Sequence, residues 1–85
     1  MKEFKYVITD PEGIHARPAG ELVKAVKAYE SEVNISKEGK TVSAKKIFGV
    51  MGLAAKQGQE VVFTIEGPDE DKAAAEIEAF MKANL

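Results

Sequence analysis

Alternating apolar and polar positions predict four β-strands in this chain. Phe4, Tyr6 and Ile8 share one side of a segment whose intervening residues are mostly polar, which is typical of a half-buried strand. The same alternation recurs further along the chain. Lys37-Glu38-Gly39-Lys40 indicates a tight hairpin between two such segments, because glycine adopts a positive φ at little cost. The strands are predicted at residues 2–9, 32–37, 40–44 and 61–66.

Apolar positions spaced by three and four residues predict three helices. The first has apolar residues at i, i+3, i+4 and i+7 from Ala19 and is expected from about Ala16 to Tyr29. A short second helix is expected from Ile47, and Asp69 is a good N-cap for a third helix. The order β-α-β-β-α-β-α predicts an α+β fold: an open-faced, four-stranded, mostly antiparallel sheet with the three helices on one face.

Composition narrows the class of protein. A chain of 85 residues is expected to form one domain, residues 1–85. The absence of cysteine and the lack of an apolar segment near Met1 favour a cytoplasmic protein without a signal peptide or membrane insertion. One histidine and no cysteine argue against a metal site, and no cofactor is expected. Basic residues outnumber acidic ones over residues 15–56, which favours an acidic partner or a phosphate but is too weak to indicate nucleic acid.

The candidate chemistry lies in Gly13-Ile14-His15-Ala16-Arg17-Pro18-Ala19, which contains the only histidine and the only arginine. Proline is tolerated in the first turn of a helix, so Pro18 places the helix start at about Ala16 with His15 just outside it. Unpaired N–H groups and the positive end of the helix dipole at that point attract anions. His15 is therefore a candidate phosphoryl acceptor. The phosphate is expected to bind at the helix N-terminus formed by Ala16, Arg17 and Pro18.

The same surroundings bear on the reactivity of the ring. The positive helix end and Arg17 both favour the neutral imidazole, which is the nucleophilic form. The alternative interpretation is a histidine that only caps the helix or lies in solvent.

The seven-residue stretch resembles the active-site signature of the HPr family, the histidine-containing phosphocarriers of the bacterial phosphoenolpyruvate-dependent sugar phosphotransferase system. Lys45-Lys46-Ile47-Phe48-Gly49-Val50-Met51 is similar to the second segment of that family. The resemblance implies an open-faced β-sandwich that is a stoichiometric carrier and not an enzyme. It implies that His15 accepts a phosphoryl group on Nδ1 from Enzyme I and passes it to Enzyme IIA domains, while Arg17 steadies the phosphate.

The resemblance also implies a surface on which partners dock. Ile47, Phe48 and Met51 cannot all face inward on one short helix, so some are expected to be exposed, although an entirely buried set is the alternative. Regulatory proteins are further candidate partners. The residues assigned to docking are Gly20, Lys24, Lys27, Ile47, Phe48 and Met51.

One position departs from the family pattern. In many members a regulatory serine directly precedes the apolar segment, and Lys46 occupies that position here. Control by a serine kinase is therefore doubtful, and Ser43 lies out of register with it. Three other functions remain open: a regulatory binding module of the same fold, a carrier of the nitrogen-related branch of the system, and a stand-alone enzyme with His15 as general base.

Overall fold

The computed structural model describes residues 1–85 and contains the seven elements in the predicted order. The chain forms one four-stranded sheet in the order β1-β4-β2-β3, and every neighbouring pair is antiparallel. The predicted α+β fold is confirmed. The elements are β1 (Lys2–Val7), α1 (Ala16–Val26), β2 (Glu32–Lys37), β3 (Lys40–Ser43), α2 (Ile47–Gly52), β4 (Glu60–Glu66) and α3 (Glu70–Asn84).

The period-two pattern of the strands sets the register of the sheet. Phe63 of β4 lies opposite Phe4 of β1 and opposite Ile35 of β2, and the Phe4 and Phe63 rings stack with centroids 4.9 Å apart. Side chains of this parity lie on the helix side, where Ile35 and Phe63 are fully buried. Burying each such side chain stabilises the fold by about 1.5–3 kcal/mol. The opposite face stays open to water, as half-buried Asn34 and Thr64 show.

The helices cover the apolar side of the sheet. α3 packs on β1 and β4, α2 packs on β3, and α1 packs against both α2 and α3. The buried residues of α1 include Leu22 and Val26, and those of α3 include Ile77 and Met81. All helices therefore lie on one face, and one core holds them there. No helix combines the length and the apolar character needed to cross a membrane.

The hairpin between β2 and β3 forms at the predicted residues. Glu38 and Gly39 have φ values of 51° and 86°, so both central residues of this two-residue turn are left-handed. That conformation matches the twist of the paired strands, and Gly39 adopts it without strain.

Two element ends differ from the predicted ones, α1 because of local three-residue hydrogen bonds and β1 because of a long-range one. α1 ends at Val26 instead of Tyr29, because the N–H groups of Ala28 and Tyr29 reach back only three residues. β1 ends at Val7, and Thr9 leaves the sheet to donate from its N–H group to the carbonyl of Leu85 at 2.6 Å.

Asp69 occupies the predicted N-cap position of α3, but its side chain makes no capping bond to that helix. Its carboxylate instead accepts hydrogen bonds from the N–H groups of Glu30 and Ser31, at 3.0 and 2.9 Å, and from the Ser31 hydroxyl. Asp69 thus ties the start of α3 to the turn before β2. The hydrogen bond from the Ser31 hydroxyl is the largest influence and holds the pKa of the Asp69 carboxyl below its ordinary value. Burial opposes this lowering, and the two amides add to it.

We expect Asp69→Asn to lower the free energy of unfolding at neutral pH. We also expect the free energy of unfolding of the variant to depend less on pH. A carboxyl group whose pKa is depressed by folding stabilises the protein above its unfolded pKa, and this stability is lost as the pH falls through the folded value. Urea unfolding at pH 7 and at pH 3 measures the effect. The gap between wild type and variant should narrow at pH 3, and a constant gap would contradict the assignment. Asp71→Asn is the control, because it makes the same charge change in the first turn of α3 and removes only an exposed ion pair with Lys2.

Candidate functional site

His15 is the N-cap residue of α1, directly before the first helical residue, Ala16. Its extended backbone, with φ −97° and ψ −177°, aims its carbonyl into the helix, where it accepts the first helical bond from Ala19 N–H at 3.0 Å. Pro18 is buried and has no N–H group, so it contributes the geometry of the first turn and no donor. The N–H groups of Ala16 and Arg17 donate no hydrogen bond within the chain. Two amides next to His15 are therefore free to bind an anion.

A tight turn carries the chain from β1 to His15. Gly13 N–H donates to the carbonyl of Asp10 at 2.9 Å, and Glu12 N–H donates to the Asp10 carboxylate at 2.8 Å. Ile14 N–H then donates to the carbonyl of Ala55 at 2.9 Å, which attaches the turn to the segment before β4. Because Gly13 has a φ of 67° and a Cβ there would lie 2.2 Å from the Ala55 oxygen, only glycine fits.

The His15 ring is accessible from solvent, with 35% of its side chain exposed. Its Nε2 atom lies 3.5 Å from Glu12 Oε2 and 3.9 Å from Asp10 Oδ2, and no other carboxylate lies within 4 Å of the ring nitrogens. Neither carboxylate was predicted to lie near the ring, because only the positive groups around His15 are evident from the signature itself. A signal was present, because Asp10 and Glu12 precede His15 by five and three residues within Asp10-Pro11-Glu12-Gly13, whose residue types favour a turn.

Arg17 and Lys24 of α1, and Lys27 at its C-cap, are exposed and form no ion pair within the chain. Lys45 differs, since its ammonium group donates to the carbonyl of Tyr29 at 3.2 Å. The cations of α1 are therefore available to a phosphate or an acidic partner, whereas Lys45 supports the turn after α1.

The apolar residues of α2 divide between the core and the surface. Phe48 is 86% exposed and Met51 is 38% exposed, whereas Val50 is fully buried and Ile47 is half-buried. The alternative in which all of these residues are buried is wrong. An exposed phenylalanine of this degree leaves apolar area uncovered beside a charged surface.

α2 lies beside α1, and Gly20 faces the point where the two helices meet. A Cβ at Gly20 would lie 3.7 Å from Ile47 Cδ1, which is an ordinary contact. Packing therefore does not require glycine at this position. The close approach of Gly20 in α1 to Ile47 in α2 brings together the two segments that carry the assigned docking residues.

No enclosed pocket surrounds His15. The single hollow of the molecule lies on the open face of the sheet, where Glu32, Asn34, Thr64 and Glu66 line it together with Met1. No group of three or more potential ligand side chains could hold a metal ion. Fold and site together define a small open-faced sandwich that presents one histidine to solvent at a helix start.

Comparisons with known proteins agree with this class. The family model described as "PTS HPr component phosphorylation site" matches residues 2–83. The phosphocarrier protein HPr of Lysinibacillus sphaericus is 45% identical over 73 residues, which are 86% of this chain and 83% of the relative. The chain belongs to the HPr family. It is therefore a phosphocarrier of the phosphotransferase system and not an enzyme.

Solved structures of the family superimpose closely. HPr from Thermoanaerobacter tengcongensis matches with a TM-score of 0.93 and 35% identity, covering 98% of this chain and 93% of that one. The catabolite repression protein Crh of Bacillus subtilis, described as a dimer with a swapping domain, matches with a TM-score of 0.79 and 34% identity over 100% of this chain and 98% of its own.

We expect Gly13→Ala to destabilise the protein more than Gly58→Ala does. Both glycines have a positive φ, but a Cβ at Gly58 meets nothing within 4 Å. The control variant should lose about 1 kcal/mol of unfolding free energy from backbone strain alone. Gly13→Ala should lose roughly 1–3 kcal/mol more, because its methyl group collides with backbone. Urea unfolding of the two variants measures the difference, and equal losses would show that the contact with Ala55 does not hold the turn.

Proposed function

We propose that His15 accepts a phosphoryl group from phosphorylated Enzyme I and passes it to Enzyme IIA domains. The observation that carries the proposal is the position of an accessible imidazole directly before α1, followed in the chain by two free amides and by Arg17, which forms no ion pair within the chain. Membership of the HPr family supports the same roles for donor and acceptor. The cytoplasmic location favoured by the cysteine-free composition stays a prediction.

The chemistry that the site can perform is transfer between two ring nitrogens. The lone pair of one His15 nitrogen forms a bond to phosphorus as the bond from phosphorus to the donor nitrogen breaks, and that electron pair returns to the donor. The phosphoryl group carries negative charge on its three other oxygens. We expect the amides of Ala16 and Arg17 and the Arg17 guanidinium to stabilise this charge. Positioning and electrostatics are what the protein must supply.

Partner docking is assigned to the surface around α1 and α2, consisting of Gly20, Lys24, Lys27, Ile47, Phe48 and Met51. The lysines offer charge to an acidic partner, and Phe48 offers apolar area that a partner can cover. A carrier must release each partner quickly, so a shallow surface that gives weak complexes suits the role.

The position of Lys46 bears on regulation. Lys46 is exposed at the N-cap of α2, and its side chain makes no capping bond. A lysine cannot accept the phosphate that the family's regulatory serine takes at this position, so we propose that this chain acts as a carrier without that switch. The presence of His15 likewise favours the carrier over a purely regulatory module.

We expect His15→Ala to abolish incorporation of phosphate from phosphoenolpyruvate and Enzyme I. The wild-type product should be labile in acid and stable in base, as a phosphoramidate is. The variant should remain folded, because the His15 side chain makes no capping bond to α1. Radiolabel incorporation at matched protein concentrations measures the effect, and normal labelling of the variant would contradict the assignment of the acceptor.

We expect substitutions of Arg17 and Phe48 to act on different kinetic constants. Arg17→Ala should lower kcat for transfer from Enzyme I by about 10²-fold, because it removes a group that stabilises the transferring phosphoryl group. Phe48→Ala should raise KM about fivefold with a smaller change in kcat, because it removes docking area. Steady-state transfer with varied carrier concentration separates the two. Lys72→Ala, an exposed cation on α3, is the control.

A further inference from the structure

We propose that Asp10 and Glu12 are positioning residues for His15. Their carboxylates keep a proton on Nε2, so that Nδ1 is the nitrogen that accepts the phosphoryl group, and they offset the positive charge of the phosphorylated ring. This inference rests on the proposed role of His15 and adds two residues to it.

The geometry distinguishes the two ring nitrogens. Nε2 faces two carboxylate oxygens at 3.5 and 3.9 Å, whereas Nδ1 has no partner within the chain. An ionised carboxylate can only accept hydrogen bonds, so it favours the tautomer with the proton on the nitrogen that faces it. These distances exceed those of a direct hydrogen bond. Catalytic hydrogen bonds are often long in the free protein and shorten when charge develops.

The two carboxylates are held differently. The Oδ1 atom of Asp10 accepts the Glu12 N–H group at 2.8 Å, which leaves Oδ2 facing the ring, and Asp10 N–H donates to the Leu85 carbonyl at 2.9 Å. The Asp10 side chain is only 25% exposed. Glu12 is 74% exposed and lies closer to Nε2. Asp10 is therefore a fixed charge, whereas Glu12 can approach the ring when the ring becomes positive.

A proton held on Nε2 determines the charge of the His15 ring during phosphoryl transfer. When the Nδ1 lone pair forms the bond to phosphorus and Nε2 keeps its proton, the ring acquires a positive charge next to the phosphoryl dianion. The carboxylates stabilise that charge. In onward transfer the bond from Nδ1 to phosphorus breaks, and the electron pair returns to Nδ1. A ring protonated on Nε2 then leaves as neutral imidazole instead of an anion. The two carboxylates therefore favour rapid donation of the phosphoryl group.

Opposing charges also face this region and set the size of the effect. Arg17 and the amides at the start of α1 disfavour a positive ring. Lys56 adds a cation on the segment packed against Gly13. Asp10 and Glu12 are the carboxylates that counter them. Because solvent screens the exposed Glu12 carboxylate, we expect the two carboxylates to offset only part of these opposing charges.

The first test measures the tautomer in unphosphorylated protein. Ring nitrogen chemical shifts of ¹⁵N-labelled wild type, recorded where the ring is neutral, should show the proton mainly on Nε2. Asp10→Asn/Glu12→Gln should reduce that share at least twofold, while the asparagine oxygen can still accept the Glu12-position N–H group and preserve the turn. Glu3→Gln, which carries the charge change of Glu12→Gln at the far end of β1, should leave the share unchanged. An unchanged tautomer in the double variant would overturn the proposal.

The second test measures the phosphorylated ring without Enzyme I. Wild type, Glu12→Gln and Glu3→Gln are phosphorylated with phosphoramidate, and hydrolysis rates are followed across pH. Because protonation of Nε2 makes the phosphorylated ring a better leaving group, Glu12→Gln should move the half-maximal point of the profile downward by about half a unit to one unit. Coincident profiles for the three proteins would overturn the proposal. Failure of Enzyme I to label His15 would instead contradict the proposed function and leave the tautomer measurement intact.

Discussion

The site depends on where α1 begins. Because the His15 carbonyl accepts the first helical bond, the side chain of the same residue lies at the helix end, and the next two amides have no partner within the chain. A helix that started one turn later would leave His15 in a loop with no oriented donors. The bond from Ile14 to Ala55 and the close approach at Gly13 prevent such a shift, since they fix the residues directly before the helix.

This arrangement separates reactivity from stability. The apolar side of the sheet and the inner faces of α1 and α3 form the core, whereas the His15 ring and the exposed apolar residues of α2 contribute little burial. Leaving Phe48 in solvent costs a small domain some of the burial it could have had. Hydrogen bonds away from the site stabilise the fold, including those that the Asp69 carboxylate accepts between α3 and the turn before β2. Another is the bond that the Tyr29 hydroxyl donates to Glu76, and burial followed by this bond raises the pKa of Tyr29 to about 12.

The electrostatics of the site combine opposite influences on one ring. Arg17 and the helix amides suit an incoming phosphoryl group, while Asp10 and Glu12 suit a ring that carries positive charge. A carrier needs both, because it must first accept the group and then release it. Asp10 and Glu12 face Nε2 from the turn before His15, whereas the free amides of Ala16 and Arg17 follow His15 at the start of α1.

Much of this protein could be predicted from local sequence. Period-two and period-3.6 patterns identified every element, because one face of each strand and helix is buried in a single core. The helix start at Ala16 followed from Pro18, and the hairpin followed from Gly39, since both residues act through their own backbone geometry. The family also followed from sequence, because its signature is contiguous.

Other features were decided only by the tertiary structure. Asp69 stands at a helix start, yet it bonds to Glu30 and Ser31, because residues nearly forty positions away lie closer to its carboxylate than its own helix amides do. The approach of Asp10 and Glu12 to Nε2 depends on a turn anchored by Leu85 and Ala55, which are distant in the chain. The division of α2 into buried Val50 and exposed Phe48 depends on where α1 lies. Local pattern sets which backbone conformation each segment favours, but the partner of a polar or charged side chain is set by what folding brings next to it.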